Sequence, residues 1–254
     1  MLSFWCWGEL MVTKPRCEIG IEILDSDLGG GIPCGNTVLI SGGSGVGKTT
    51  FSMQFLFKGM EKNEKGVYFT ATENVQKLKK YQSAFSFYDE KLVKSGDITI
   101  IDIWNISDKL GLNPHQYTVE EANILFEVIR DIVKEIGAKR LVLDSITSLC
   151  FRLKSRERIR DFIFKLGSSL TVLNCTTFMT SEVAPRIYQF SQNEIEEFIS
   201  DGIIFMSDIE RKGDLIRTLQ IIKMRGTSHS RTKYALNMSS KSGVDITPIL
   251  QTRI

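Results

Sequence analysis

The sequence predicts an α/β fold whose mostly parallel sheet ends in antiparallel C-terminal strands, and three observations carry that reading. Apolar segments rich in β-branched residues alternate with helical patterns as far as Met206. A glycine-rich phosphate-loop motif sits where one such strand passes into a helix. After Met206 the pattern changes to short alternating segments separated by turns. The 254 residues, 42% hydrophobic and 24% charged, suit one domain of this class with a full core.

In chain order, residues 1–20 are read as a flexible N-terminal extension and 21–254 as the domain. Residues 1–12 are apolar, but they lack a basic leader and are interrupted by Gly8 and Glu9, which argues against a signal peptide. Met11 begins a more conventional polar start, so residues 1–10 are placed outside the fold. Buried strands are predicted at 37–41, 67–72, 98–101, 141–144, 176–180 and 203–206. Helices are predicted at 48–62, 118–136 and 156–170, the second opening on a capping box, Thr118-x-x-Glu121. Strand crossovers through helices call for parallel pairing. Residues 216–224, 234–238 and 244–246 supply the antiparallel edge. No repeat, low-complexity tract or linker divides the chain.

A formal net charge of +2 creates no whole-protein field that selects nucleic acid or membrane, so any such partner must use a local patch. No apolar run reaches membrane-spanning length. The 5 cysteines are odd in number and never spaced Cys-x-x-Cys, and the only histidines are His115 and His229. That usage argues for reduced thiols in a cytoplasmic protein and against a zinc site.

The chemistry concentrates at Gly42-Gly43-Ser44-Gly45-Val46-Gly47-Lys48-Thr49, followed by Thr50. It satisfies Gly-x-x-x-x-Gly-Lys-Thr in the strand-to-helix context that the motif requires. Glycines there let backbone amides turn toward phosphate oxygens, and the helix N-terminus adds its positive dipole end. The pattern predicts ATP with Mg²⁺: Lys48 reaches the β and γ phosphates, and Thr49 places its hydroxyl on the metal. Asp144, closing the strand Leu141-Val142-Leu143-Asp144, is the second metal contact, partly through water. Glu73 is the candidate for orienting water, its alternative being a surface glutamate at a helix start. Glu182, following another strand, is placed to sense the γ-phosphate.

With these residues and Lys223-Met224-Arg225-Gly226-Thr227-Ser228-His229, the chain resembles the KaiC-like branch of the RecA ATPases, in its single-domain form. The resemblance runs from about residue 21 to 249 and includes Leu28-Gly29-Gly30-Gly31-Ile32-Pro33 and Glu196-Glu197-Phe198-Ile199-Ser200-Asp201. It implies a RecA-like αβα sandwich, ATP held between subunits of a ring homo-oligomer, and a hexamer by analogy. It further implies that Lys223 and Arg225 reach the γ-phosphate of the neighbour's nucleotide, where an ammonium and a planar guanidinium neutralise transition-state charge. Taken alone, both are equally surface charges on an edge strand. His229 is implied to hold that segment in shape.

Two departures stand out. The family often has a Glu-Glu pair where this chain has Thr72-Glu73, which implies slow turnover. The clock member's Ser-Thr phosphorylation pair corresponds to Glu197 and Phe198, which offer no hydroxyl. Elsewhere, Arg152, Lys154, Arg156, Arg158 and Arg160 form a basic run, diluted by Glu157 and Asp161, and Arg186-Ile187-Tyr188-Gln189-Phe190 adds aromatics. The basic run fits a DNA-facing phosphate patch less well than a solvated helix start or a subunit contact, and the aromatics fit base stacking or, equally, packing against a neighbouring subunit. Three readings therefore stand: an interface ATPase, an ATP-gated scaffold for an unidentified partner protein, and a single-stranded-DNA-binding recombinase paralogue.

Overall fold

The computed structural model describes residues 15–184, 189–192 and 194–249. The N-terminal segment forms a small hairpin in which β1 (Arg16–Cys17) pairs antiparallel with β2 (Ile32–Pro33), enclosing α1 (Glu22–Asp27). Cys17 and Ile19 are buried, so the packed body begins before residue 21. Their short apolar alternation continues into Ile21 without a turn signal strong enough to mark a boundary.

The main sheet starts with β3 (Thr37–Gly42), which leads into α2 (Lys48–Gly59). There follow β4 (Gly66–Thr70), α3 (Val75–Gln82), α4 (Glu90–Ser95), β5 (Ile98–Asp102), α5 (Ile103–Lys109) and α6 (Val119–Ile136). Next come β6 (Arg140–Asp144), α7 (Ile146–Leu153), α8 (Arg156–Val172), β7 (Thr176–Glu182) and the one-turn α9 (Glu196–Ile199). The chain closes with β8 (Gly202–Arg211), β9 (Asp214–Met224), β10 (Lys233–Ser239) and β11 (Gly243–Pro248).

These strands make a 9-stranded sheet in the order β11-β10-β9-β8-β3-β7-β6-β4-β5. β5, β4, β6, β7, β3 and β8 run parallel, and β9, β10 and β11 continue antiparallel, as the switch after Met206 predicts. A fully buried parallel strand needs apolar side chains on both faces, and β3, β4 and β6 are buried along their whole length. One core packs α1 and α2 against one face, and α6, α7 and α8 cover the other. The Thr118 capping box is present at α6, closed by bonds to and from Glu121. Among the described residues no helix is long and apolar enough to cross a membrane.

One buried ion pair ties the layers together at the amino ends of the strands. The Arg140 guanidinium, fully buried, lies 2.7 Å from Glu64 and donates to the carbonyls of Glu18 (2.6 Å) and Phe55 (2.7 Å). It also sits 4.7 Å from the centroid of the Phe55 ring.

Candidate functional site

The carboxyl ends of β3, β4, β6 and β7 meet around the Asp144 carboxylate. It accepts hydrogen bonds from Thr49 (2.7 Å), Thr180 (2.6 Å) and the Tyr68 hydroxyl. Satisfying a buried carboxylate this way fixes it in direction. Burial, followed by the Asp144 charge beside it, holds the Tyr68 hydroxyl protonated well above the ordinary phenol range.

Lys48, the first residue of α2, is buried and folds back on the loop, donating to the carbonyls of Gly42 and Gly43 at 2.8 Å each. Burial lowers its pKa, while the Glu182 and Asp144 charges oppose that shift. Gly47 precedes it with φ +103°, and a Cβ there would meet the Met238 sulfur at 2.8 Å. The positive φ is what requires a glycine there. An ammonium, a threonine hydroxyl and a carboxylate thus converge at the start of a 12-residue helix. This is the donor set that a magnesium-bound polyphosphate needs, so the residues present fit that ligand.

A cleft of about 530 Å³ opens on this group, lined at one end by Ser44, Thr49, Thr50, Asp144 and Glu182. Its far wall comes from Ala84 and Phe85 after α3 and from Met238, Ser239 and Ser240 at the end of β10. The two wall segments are fastened together, the Ser86 amide donating to Ser240 O (2.8 Å) and its hydroxyl to Lys241 O (2.6 Å). The far wall is absent from the sequence reading, because its parts lie more than a hundred residues apart with no motif in either. Tyr68 and Thr180 were missed too, although a polar residue inside each buried strand is a readable signal.

The structure brings Ser44, Gly45, Gly47, Lys48, Thr49, Thr50, Asp144 and Glu182 together around this cleft, with Gly42 and Gly43 bonded to Lys48, and leaves Glu73, Lys223 and Arg225 out of its lining. Glu182 ends β7, its amide held by the Thr147 hydroxyl at 3.0 Å. Glu73 follows β4, whose Thr70 is the register partner of Asp144, but it is not part of the cleft lining. Its carboxylate lies 3.7 Å from Lys77, one helical turn on.

Lys223 and Arg225 stand at the opposite end of the sheet. Lys223, one residue before the end of β9, lies opposite Ile203, and the Arg225 amide bonds the Asp201 carbonyl, whose own amide bonds Thr37 at the start of β3. Lys223 donates to the carbonyls of Glu197 (3.0 Å) and Ser200 (2.6 Å), and burial followed by the Arg225 charge lowers its pKa. Arg225 pairs with Asp201 (3.3 Å) and donates to the Phe198 carbonyl (3.2 Å). His229 Nδ1 is 2.9 Å from Ser230 O, within the same segment. His115 sits on an exposed loop, its amide held by Asn113 at 2.9 Å.

The basic run is largely engaged inside the chain. Arg152 stacks 3.6 Å from the Trp104 ring centroid and donates to the Tyr117 hydroxyl (3.0 Å), and Arg158 donates to the Tyr117 carbonyl (2.9 Å). Arg156 pairs with Glu194 at 2.9 Å. Of the aromatic segment, Phe190 packs edge-on against Phe205 at 5.4 Å. Arg186, Ile187 and Tyr188 lie outside the described residues.

Comparison with known proteins agrees with this geometry. The family model described as "ATPase: KaiC" matches residues 17–251. A UPF0273 protein of Thermotoga maritima is 36% identical over 92% of this chain and 96% of its own length. The circadian clock oscillator protein KaiC of Parathermosynechococcus lividus is 31% identical over 92% of this chain, which spans 43% of that longer protein. A solved KaiC-like protein of Pyrococcus horikoshii OT3 superposes with a TM-score of 0.78 at 36% identity, covering 92% of this chain and all of that one.

Proposed function

We propose that this chain, which belongs to the KaiC ATPase family, hydrolyses ATP at the subunit interfaces of a ring homo-oligomer and couples nucleotide state to assembly or to a partner protein. The observation that carries the reading is the separation of the two cationic groups. Lys48 stands at the carboxyl ends of the parallel strands and Arg225 at their amino ends. β3 alone carries the chain roughly 15 Å between those ends. A finger so placed serves a second subunit's nucleotide and not its own.

In this mechanism residues 42–47 wrap the phosphates with backbone amides, and Lys48 leaves the Gly42 and Gly43 carbonyls to meet phosphate oxygens. Thr49 and Asp144 would hold Mg²⁺, which on binding neutralises charge on the β and γ oxygens. Glu182 senses the γ end of the cleft, and Glu73 orients water from the end of β4. Lys223 and Arg225 neutralise transition-state charge across the interface. Self-association through that side is supported by an open groove of about 820 Å³ that holds Arg225 together with the exposed rings of Phe164 and Phe198. A reducing cytoplasm is the compartment proposed, in keeping with free Cys17, Cys34, Cys150 and Cys175.

The scaffold reading, nucleotide binding without useful turnover, is favoured by the Glu73–Lys77 pair lying outside the cleft. The internal bonds of Arg152 and Arg158 weigh against the DNA reading. Steady-state ATPase rate per subunit, measured across protein concentration for wild type and Glu73→Gln with and without single-stranded DNA, separates the three. A rate that rises with concentration and is lost in Glu73→Gln supports the interface ATPase. Tight nucleotide binding without turnover replaces it by the scaffold, and stimulation by DNA replaces it by the recombinase paralogue.

A further inference from the structure

The glycine run Gly29-Gly30-Gly31 and the N-terminal hairpin have no part in the mechanism above, yet they converge on the segment that carries Arg225. All three glycines have positive φ, and a Cβ on Gly31 would lie 2.5 Å from the Cys17 carbonyl oxygen. That close approach brings the loop after α1 against β1. There Arg16 Nη1 donates to Leu28 O (3.0 Å), Gly31 O (3.2 Å) and the Thr227 hydroxyl (2.6 Å). The loop is itself braced, since the Asp25 carboxylate accepts the amides of Ile19 (2.7 Å) and Gly20 (2.9 Å) and its carbonyl accepts those of Gly30 and Gly31. On the far side of the 227–233 turn, the Tyr234 hydroxyl bonds Asp27, the last residue of α1 and the start of that loop.

We propose that Arg16 is a positioning residue for the trans finger: its guanidinium, braced on the glycine loop, sets the direction of the Arg225–Thr227 segment that reaches the neighbour's nucleotide. The inference rests on the interface reading above. Among the described residues, Arg225 itself bonds Asp201 and the Phe198 carbonyl. The two anchors, Arg16 on Thr227 and Asp27 on Tyr234, fix both ends of an otherwise exposed turn to one rigid loop. A ligating group displaced by an ångström loses about 100-fold in rate, so an anchor two residues from the finger has catalytic weight.

The test is the ATPase of the full chain carrying Arg16→Ala, Arg16→Lys, Thr227→Val and Arg16→Ala with Thr227→Val. We expect kcat to fall about 10- to 100-fold in Arg16→Ala with KM for ATP unchanged, partial recovery in Arg16→Lys, and a double variant no worse than the worse single one. Mixing Arg16→Ala with Lys48→Ala subunits should restore turnover above the sum of the two alone. One variant then supplies a sound P-loop and the other a sound finger. Thr227→Val keeps the Arg16 bonds to Leu28 and Gly31, so it carries the test even where Arg16→Ala folds poorly. Unchanged kcat in Thr227→Val, additive losses, or no recovery on mixing would overturn the proposal. Arg225→Ala measured alongside separates the failures: if it too leaves kcat unchanged, the interface reading itself falls.

Discussion

The two ends of the parallel sheet are built differently. At the carboxyl ends, Asp144 is buried and satisfied by three hydroxyls, and Lys48 is buried against two carbonyls. Both groups find their partners inside the chain. At the amino ends, Arg225 is half exposed, held by one carboxylate and one carbonyl beside the exposed Phe198. On the proposed reading, the difference means that nucleotide holding is self-contained in one subunit, whereas charge neutralisation waits for a second.

Four substitutions test that contrast, in falling order of expected effect. Arg225→Ala should lower kcat by about 10³-fold, the low end of what such fingers supply, while nucleotide affinity measured by fluorescent-ATP titration stays within about twofold. An equal loss of affinity would erase the distinction between the ends. Glu64→Gln should cost about 3 kcal/mol in urea denaturation because it leaves the buried Arg140 charge without its counter-ion. ATPase per folded molecule should be retained, which separates stability at the amino ends from the finger.

Lys48→Met should abolish the rise in melting temperature on adding ATP, a loss of about 2.7 kcal/mol at a hundredfold excess over Kd. The same change should stabilise the empty protein at neutral pH. Burial lowers the pKa of Lys48 in the folded state, so its charge costs stability wherever both states are protonated. That cost fades as pH rises through the lowered pKa toward the ordinary lysine value, and the Met advantage, followed by thermal melts against pH, should shrink with it. Tyr68→Phe should cost about 1.5 kcal/mol, the share of one bond to a charged acceptor, since Thr49 and Thr180 still satisfy Asp144. A larger cost would show Tyr68 to be the principal support of that carboxylate.

What was legible in the sequence follows the same division. The parallel strands, the loop at residues 42–49 and Asp144 were readable because local spacing specifies them: a buried strand, a glycine turn, an acid at a strand end. The antiparallel edge was readable from alternation after Met206. The N-terminal hairpin was not, since its strands are two residues each and its stability comes from Arg16 and Asp25 bonds that no periodicity records. The far wall of the cleft depends on a contact between Ser86 and residues 240–241, which only the folded chain brings together. Arg152 and Arg158 read as a surface charge run because their partners, Trp104 and Tyr117, lie far upstream in the sequence and are brought to them only by folding.

Placing the finger and the phosphate loop at opposite ends of one sheet has a consequence for the flow of information. In an assembly joined through them, each subunit reports on its neighbour and never on itself, so news of a bound or spent nucleotide travels one way. Repeated head to tail, such a contact leaves the last nucleotide of any open chain unread. A closed circuit of subunits, such as the proposed ring, lets every site be both read and reader.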